Sequence, residues 1–296
     1  MARRADRAPR VAAATVATVW RVIEPATWGL RRRALDVLHG LHIARPAVRL
    51  YELGLAARSA GTTRRAHAEG DLPLPPARLR VQAGPRHADA AFFLESGRSH
   101  AQLLRDVLAE AGTPVEDVAM LLDWGCGCGR VLRHWQDLTR TELHGCDINP
   151  RMVEWCDANL PFASVQLTEV DPPLPYDDAS FDLAYAFSVM THLPEELQHA
   201  WMDECRRVLR PGGYLLFSTL GEHYLSLDRL SESERATFES GSLVVLYDDA
   251  PGTSLCSAYH PEAYVRAQLA GGFDVRTFLP AADDGRHDIY LLQKAP

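Results

Sequence analysis

The sequence predicts an α/β protein: a doubly wound sheet of seven strands with an antiparallel C-terminal hairpin, preceded by a helical N-terminal extension. Three observations carry that prediction. Beyond residue 85, short apolar runs alternate with segments of helical period, the pattern of a parallel sheet covered on both faces. The last two apolar runs are separated only by a short Asp/Gly loop, which suits antiparallel neighbours. Before Asp71 the apolar residues recur at helical spacing.

In order along the chain, residues 1–70 read as helices. Leu30, Ala34, Leu35, Leu38 and Leu41 share a helical stripe, and Pro46 suits the first turn of a following helix with Val48, Tyr51 and Leu55 on its apolar side. The stretch Asp71–Pro85, DLPLPPARLRVQAGP, reads as a Pro-rich linker, so the domains are drawn at 1–85 and 86–296. Residues 100–112 read as a helix ending at a glycine. Strands are expected over 118–125, 141–148, 164–170, 181–188, 212–219, 273–280 and 288–295. VLRHWQDL, PRMVEWCDANL and PEELQHAWMDECRRVLR read as the intervening helices, the last with Leu197, Trp201 and Cys205 on one stripe. Residues 220–260 form a long insertion, read as a lid over the acceptor or as a peripheral hairpin.

The chain has 296 residues, a net charge of −8 and a hydrophobic fraction of 47%, ordinary values for a globular protein. The charge is uneven: residues 1–86 hold sixteen arginines against six acids, and the remainder is acidic. Such a basic region packs on the acidic body, or meets nucleic acid or an anionic membrane. The six cysteines show neither C-x-x-C spacing nor a companion His-x-x-x-His, which argues against zinc and for buried thiols in a reducing cytoplasm. The basic start and its short apolar run resemble a secretory signal, but Arg21 and Glu24 follow at once, so a packed or membrane-surface helix is expected.

The sharpest feature is LLDWGCGCGR, residues 121–130. A strand that turns at a glycine-rich loop presents bare backbone N–H groups to a ligand. Dinucleotides and S-adenosylmethionine are both bound this way. A dinucleotide fingerprint G-x-G-x-x-G would need a third glycine where Arg130 stands. Lys294, the only lysine, leaves no phosphate-binding G-x-x-x-x-G-K loop.

With D-x-G-x-G-x-G at 123–129, an acid ending the next strand in LHGCDIN, the fourth-strand region at 172–193 and VLRPGGYLLFST at 208–219, residues 90–296 resemble the class I S-adenosylmethionine-dependent methyltransferases. The resemblance implies a Rossmann-like fold and S-adenosyl-L-methionine as cofactor. It implies that Asp123, Gly125, Gly127 and Gly129 line the methionine end, that Asp147, with Ile148 beside it, holds the ribose, and that Phe187 and Ser188 pass near the sulfonium. Near the adenine amine it offers Thr168, Glu169 and Asp171, with Glu169 taken as the candidate.

Methyl transfer to a hydroxyl needs a base. His192, just past the fourth strand, is the first candidate, the alternative being a helix cap before Pro194; His260, after Tyr259, is a second, and His287 with Asp288 is a further pair. No metal is expected. The favoured acceptor is a small molecule, a sugar or secondary-metabolite hydroxyl. Two alternatives stay open: a nucleic-acid or protein methyltransferase docking through the basic N-terminal region, and a non-catalytic cofactor-binding assembly protein. Few aromatic residues interleave the N-terminal arginines, which counts against nucleic acid. Peripheral membrane contact through the N-terminal helices and a homodimer are further readings.

Overall fold

The computed structural model describes residues 28–59, 72–227, 229–283 and 286–295. The expectations for the basic start and its apolar run lie outside the described residues. The described chain divides into two compact units: one holds residues 28–59 and 74–92 with 227 and 229, the other holds the remainder.

In the first unit, α1 (Trp28–Gly40) and α2 (Ala44–Arg58) are joined by a turn in which His42 takes a φ of 58°. Val48, Tyr51 and Leu55 are half-buried, as their spacing predicts. Leu41 is not on the packed stripe: α1 stops at Gly40, and Leu41 is 63% exposed. The stretch read as a linker is ordered over its described residues. It forms α3 (Ala77–Arg80) and two 3-10 turns, Val81–Ala83 and Pro85–Ala88. Arg80 explains why. Its fully buried guanidinium donates to the carbonyl oxygens of Pro75 (2.5 Å), His87 (3.1 Å) and Ala88 (2.6 Å). Proline has no N–H to give to such carbonyls, and one arginine with five donors does it instead.

The second unit is built on a seven-stranded sheet. Its strands are β1 (Met120–Trp124), β2 (Glu142–Asp147), β3 (Ala163–Leu167), β4 (Phe181–Ala186), β5 (Leu209–Thr219), β8 (Phe273–Asp283) and β9 (His287–Lys294). The remaining two, β6 (Val244–Leu246) and β7 (Ser257–Tyr259), make a separate antiparallel ribbon within the 220–260 insertion. The sheet order is β3-β2-β1-β4-β5-β9-β8. The first five strands are parallel; β9 runs antiparallel to both β5 and β8. Crossing from β2 and β3 on one side of β1 to β4 on the other leaves a crevice at the strands' C-terminal ends, where open α/β sheets bind ligands.

Alternation along the strands feeds two cores. Leu121, Leu183, Tyr185, Leu216 and Leu291 face one side, with Leu104 and Leu108 of α4 (Ala90–Glu110) and Val153 and Cys156 of α5 (Pro150–Asn159). Leu122, Ala184, Phe217 and Leu292 face the other, with Trp201 and Cys205 of α6 (Glu195–Val208). The insertion has its own small core of Leu220, Tyr224, Phe238, Leu246 and Tyr259, and contains α7 (Glu232–Glu239). VLRHWQDL does not form the expected α-helix; only a 3-10 turn, Leu132–Trp135, is present.

Among the described residues no helix is long and apolar enough to cross a membrane, and no group of three or more His, Cys, Asp or Glu is placed to hold a metal ion. All six cysteines are buried free thiols.

Candidate active site

β1 delivers the chain to the glycine loop. Gly125, Gly127 and Gly129 all take positive φ, 75°, 56° and 72°, a conformation that costs a residue with a Cβ about 1–2 kcal/mol. Packing adds a second constraint at two of them. A Cβ on Gly125 would lie 2.4 Å from Val189 Cγ2, and one on Gly129 would lie 2.4 Å from Leu160 Cδ1. At Gly127 the nearest atom would be Met152 Sδ at 3.6 Å, an ordinary contact. The outer glycines are therefore needed by the fold itself, and Gly127 is the one with room beside it.

The loop is fastened to the end of β2. The N–H groups of Gly125 and Cys126 both donate to the Cys146 carbonyl (2.8 and 3.0 Å), and Gly127 N–H donates to Asp147 Oδ2 (2.8 Å). Asn149 N–H donates to Asp147 Oδ1 (2.8 Å), while the Asn149 side chain caps α5 by accepting from Arg151 N–H. Each Asp147 oxygen thus holds one backbone donor and keeps acceptor capacity, which suits the two hydroxyls of a ribose. Burial pushes the Asp147 carboxyl up, and these two N–H groups pull it back. Beside it, Ile148 is 39% exposed and Leu167 49% exposed, uncovered aliphatic surfaces at the ends of β2 and β3. Thr168 Oγ1 is buried without a partner; Glu169 and Asp171 are exposed. A fixed carboxylate, an open glycine and bare aliphatic walls fit a nucleoside cofactor such as S-adenosylmethionine.

Asp123 stands in β1, two residues before Gly125. Its carboxylate turns into the core, where Oδ2 accepts from Tyr185 OH (2.7 Å), and that hydroxyl accepts from Trp135 Nε1 (2.9 Å). Burial pushes the Asp123 pKa up to about 7, against the opposing pull of Tyr185 and Arg130. This places Asp123 behind the loop as its anchor.

At the end of β4, Phe187 is buried and stacked on His100 of α4, with ring centroids 4.1 Å apart. Ser188 takes a φ of 60°, and its N–H donates to Ser218 Oγ (2.8 Å). Such strain at a strand end is characteristic of ligand sites. One helical turn before His100, Gly97 brings the α4 backbone against the loop, since a Cβ there would lie 2.1 Å from the Arg130 carbonyl oxygen. Gly97, His100, Tyr185 and Trp135 were not singled out in the sequence. A glycine inside a helical run was the available signal for Gly97.

His192 sits in a 3-10 turn, Met190–His192, and is held by the insertion at two points. Its Nδ1 lies 2.7 Å from the Cys256 carbonyl oxygen, and its own carbonyl accepts from Gly252 N–H (2.9 Å). A carbonyl only accepts, so Nδ1 carries the proton and Nε2 presents a lone pair. Burial lowers the His192 pKa, opposed by the Cys256 carbonyl and assisted by nearby His287. Gly252 is also seated on the cofactor side: its φ is 69°, and a Cβ would lie 2.7 Å from Ile148 Cδ1.

His260 does not join this group. It is fully buried, with Nε2 donating to Gln198 Oε1 (3.0 Å) while Gln198 Nε2 donates to the Leu193 carbonyl (2.8 Å). Burial pushes its pKa down to about 3. These are the contacts of a histidine that ties the insertion to α6. His287 stacks on Tyr224 (5.9 Å), and Asp288 Oδ1 accepts from Ala281 N–H (2.8 Å). Asp288 is buried tightly against Gly221.

Residues 122–217 match the model of a methyltransferase domain family. A malonyl-[acyl-carrier protein] O-methyltransferase of Herminiimonas arsenicoxydans is 36% identical over 114 residues, 36% of this chain and 39% of that protein. The enzyme of the same name from Enterobacter lignolyticus is 33% identical over 130 residues, 44% of this chain and 49% of that protein. This chain thus spans about half or less of the length of these relatives. A solved S-adenosylmethionine-dependent methyltransferase from Methanosarcina mazei has a TM-score of 0.47 and 22% identity, covering 61% of this chain and 93% of that one. The D-x-G-x-G-x-G loop at the end of β1 and the carboxylate at the end of β2 both lie within residues 122–217, so the stretch that matches the methyltransferase domain family is the one that builds this site.

Proposed function

We propose that the protein methylates an oxygen of a small-molecule acceptor, a hydroxyl on a sugar or secondary metabolite, with His192 as general base. The observation that carries this reading is the Nδ1–H···O=C bond from His192 to Cys256 at 2.7 Å. It fixes the tautomer whose Nε2 accepts a proton, and burial keeps the ring neutral near pH 7. Bound S-adenosylmethionine supplies a methyl on a positively charged sulfur. Asp147 holds its ribose, Gly127 leaves room for it, and the Gly252–Cys256 segment closes over Ile148. With the cofactor bound, its methyl would be offered to the acceptor oxygen, and His192 Nε2 would take the hydroxyl proton. Residues 220–260 act as the lid that excludes water.

A second reading comes from the relatives' names: the acceptor oxygen belongs to a carboxylate, presented on a carrier. A carboxylate has no proton to lose, so the two readings separate cleanly. His192→Asn is expected to cost about 10²-fold or more in kcat with a hydroxyl acceptor. An effect under threefold, with carboxylate acceptors turned over, overturns the hydroxyl reading.

A further inference from the structure

Five of the eight large hydrophobic residues that stand exposed among the described residues lie within Val37–Leu53. Val37 and Leu41 are 62% and 63% exposed, and Ile43, Leu50 and Leu53 are 45–47% exposed. On α2 the exposed positions recur in adjacent pairs four apart: Arg45 and Pro46, Arg49 and Leu50, Leu53 and Gly54, Ala57 and Arg58. That is one helix face of three arginines and two leucines. It carries no acid, aromatic residue or amide. The one acid of α2, Glu52, is buried and paired with Arg49. The neighbouring face of α1 adds Val37 and Arg33, with Asp36 already paired to Arg32.

We propose that this face of α1 and α2 docks on an anionic phospholipid bilayer. Single exposed aliphatics are ordinary, but exposed leucines interleaved with arginines on one helix face are the composition of a helix lying in a membrane interface. The aliphatics enter the acyl boundary while the arginines meet lipid phosphates. A protein partner would need features that fix its orientation, and α2 offers no aromatic or amide on this face for that. Charge selects the same partner. Residues 1–86 hold sixteen arginines against six acids, whereas the rest of the chain holds fifteen basic residues against thirty-three acids. The region that contains α1 and α2 is thus the one an anionic surface attracts.

The test is flotation of the full chain with vesicles of phosphatidylcholine alone and of phosphatidylcholine mixed with phosphatidylglycerol, at low and high salt. The expected result is binding to the mixed vesicles only, weakened by salt. Arg33→Gln and Arg58→Gln should each weaken partitioning about 5-fold, the equivalent of about 1 kcal/mol per arginine at the surface. Leu50→Ser with Leu53→Ser should also weaken it while leaving the salt dependence in place. Unchanged S-adenosylhomocysteine binding by calorimetry and unchanged helix content show that these variants are folded. No flotation with the mixed vesicles, or equal flotation of all variants, overturns the proposal. Self-association lost in the leucine variant, without vesicle binding, overturns it too and assigns the face to a second copy.

Discussion

Gly252 touches both halves of the site. Its N–H donates to the His192 carbonyl at 2.9 Å, and its Cα side faces Ile148 Cδ1 so closely that a Cβ would approach within 2.7 Å. One residue of the insertion therefore meets both the base candidate and Ile148, the proposed cofactor wall. Gly252→Ala adds positive-φ strain of about 1–2 kcal/mol to that overlap. The expected outcome is a tenfold or greater loss of S-adenosylhomocysteine affinity by calorimetry, with partial recovery in Gly252→Ala/Ile148→Ala.

The pH profile of kcat/KM tests His192. A base is active when deprotonated, and burial lowers its pKa below the ordinary 6.5. The acid limb should therefore fall below pH 6.5, with activity flat above it. In Cys256→Ala the carbonyl that orients the ring remains, so the limb should stay in place.

The three loop glycines should separate by stability. Gly127→Ala meets strain alone and should cost about 1–2 kcal/mol, whereas Gly125→Ala and Gly129→Ala add side-chain overlap and should cost more. Denaturant unfolding gives the ranking. For cofactor binding the expected weight shifts to Gly127, the position with room beside it.

Asp123 makes stability depend on pH. Its folded pKa of about 7 stands above the unfolded 3.8, so the folded state holds the proton more tightly. That contribution is complete below about pH 4 and is lost as pH rises toward 7. Asp123→Asn should flatten this part of the stability profile. Tyr185→Phe removes the hydroxyl between Trp135 and Asp123 and should cost about 1–3 kcal/mol, read from the urea midpoint.

The strand rhythm and the D-x-G-x-G-x-G spacing were legible because each depends on local periodicity and on backbone conformations that favour glycine. The sheet's seven strands fall close to where the apolar runs stand. What the sequence hid was decided by distant contacts. VLRHWQDL has helical composition, but Trp135 is drawn to Tyr185 and only a 3-10 turn forms. Asp71–Pro85 looks like a linker until buried Arg80 ties the Pro75 carbonyl to those of His87 and Ala88 just beyond it. His260 and His192 look alike in sequence. Their partners tell them apart, a glutamine side chain for His260 and a backbone carbonyl for His192.

The Cys256 carbonyl has an evolutionary corollary. Side-chain identity at 256 is free to drift, because every amino acid brings the same main-chain oxygen to the imidazole. Among the described residues the Nδ1 of His192 meets this carbonyl where an acid–base dyad would place a carboxylate. What selection must preserve is the path of the backbone from Gly252 to Cys256, a constraint written in loop length and glycine placement.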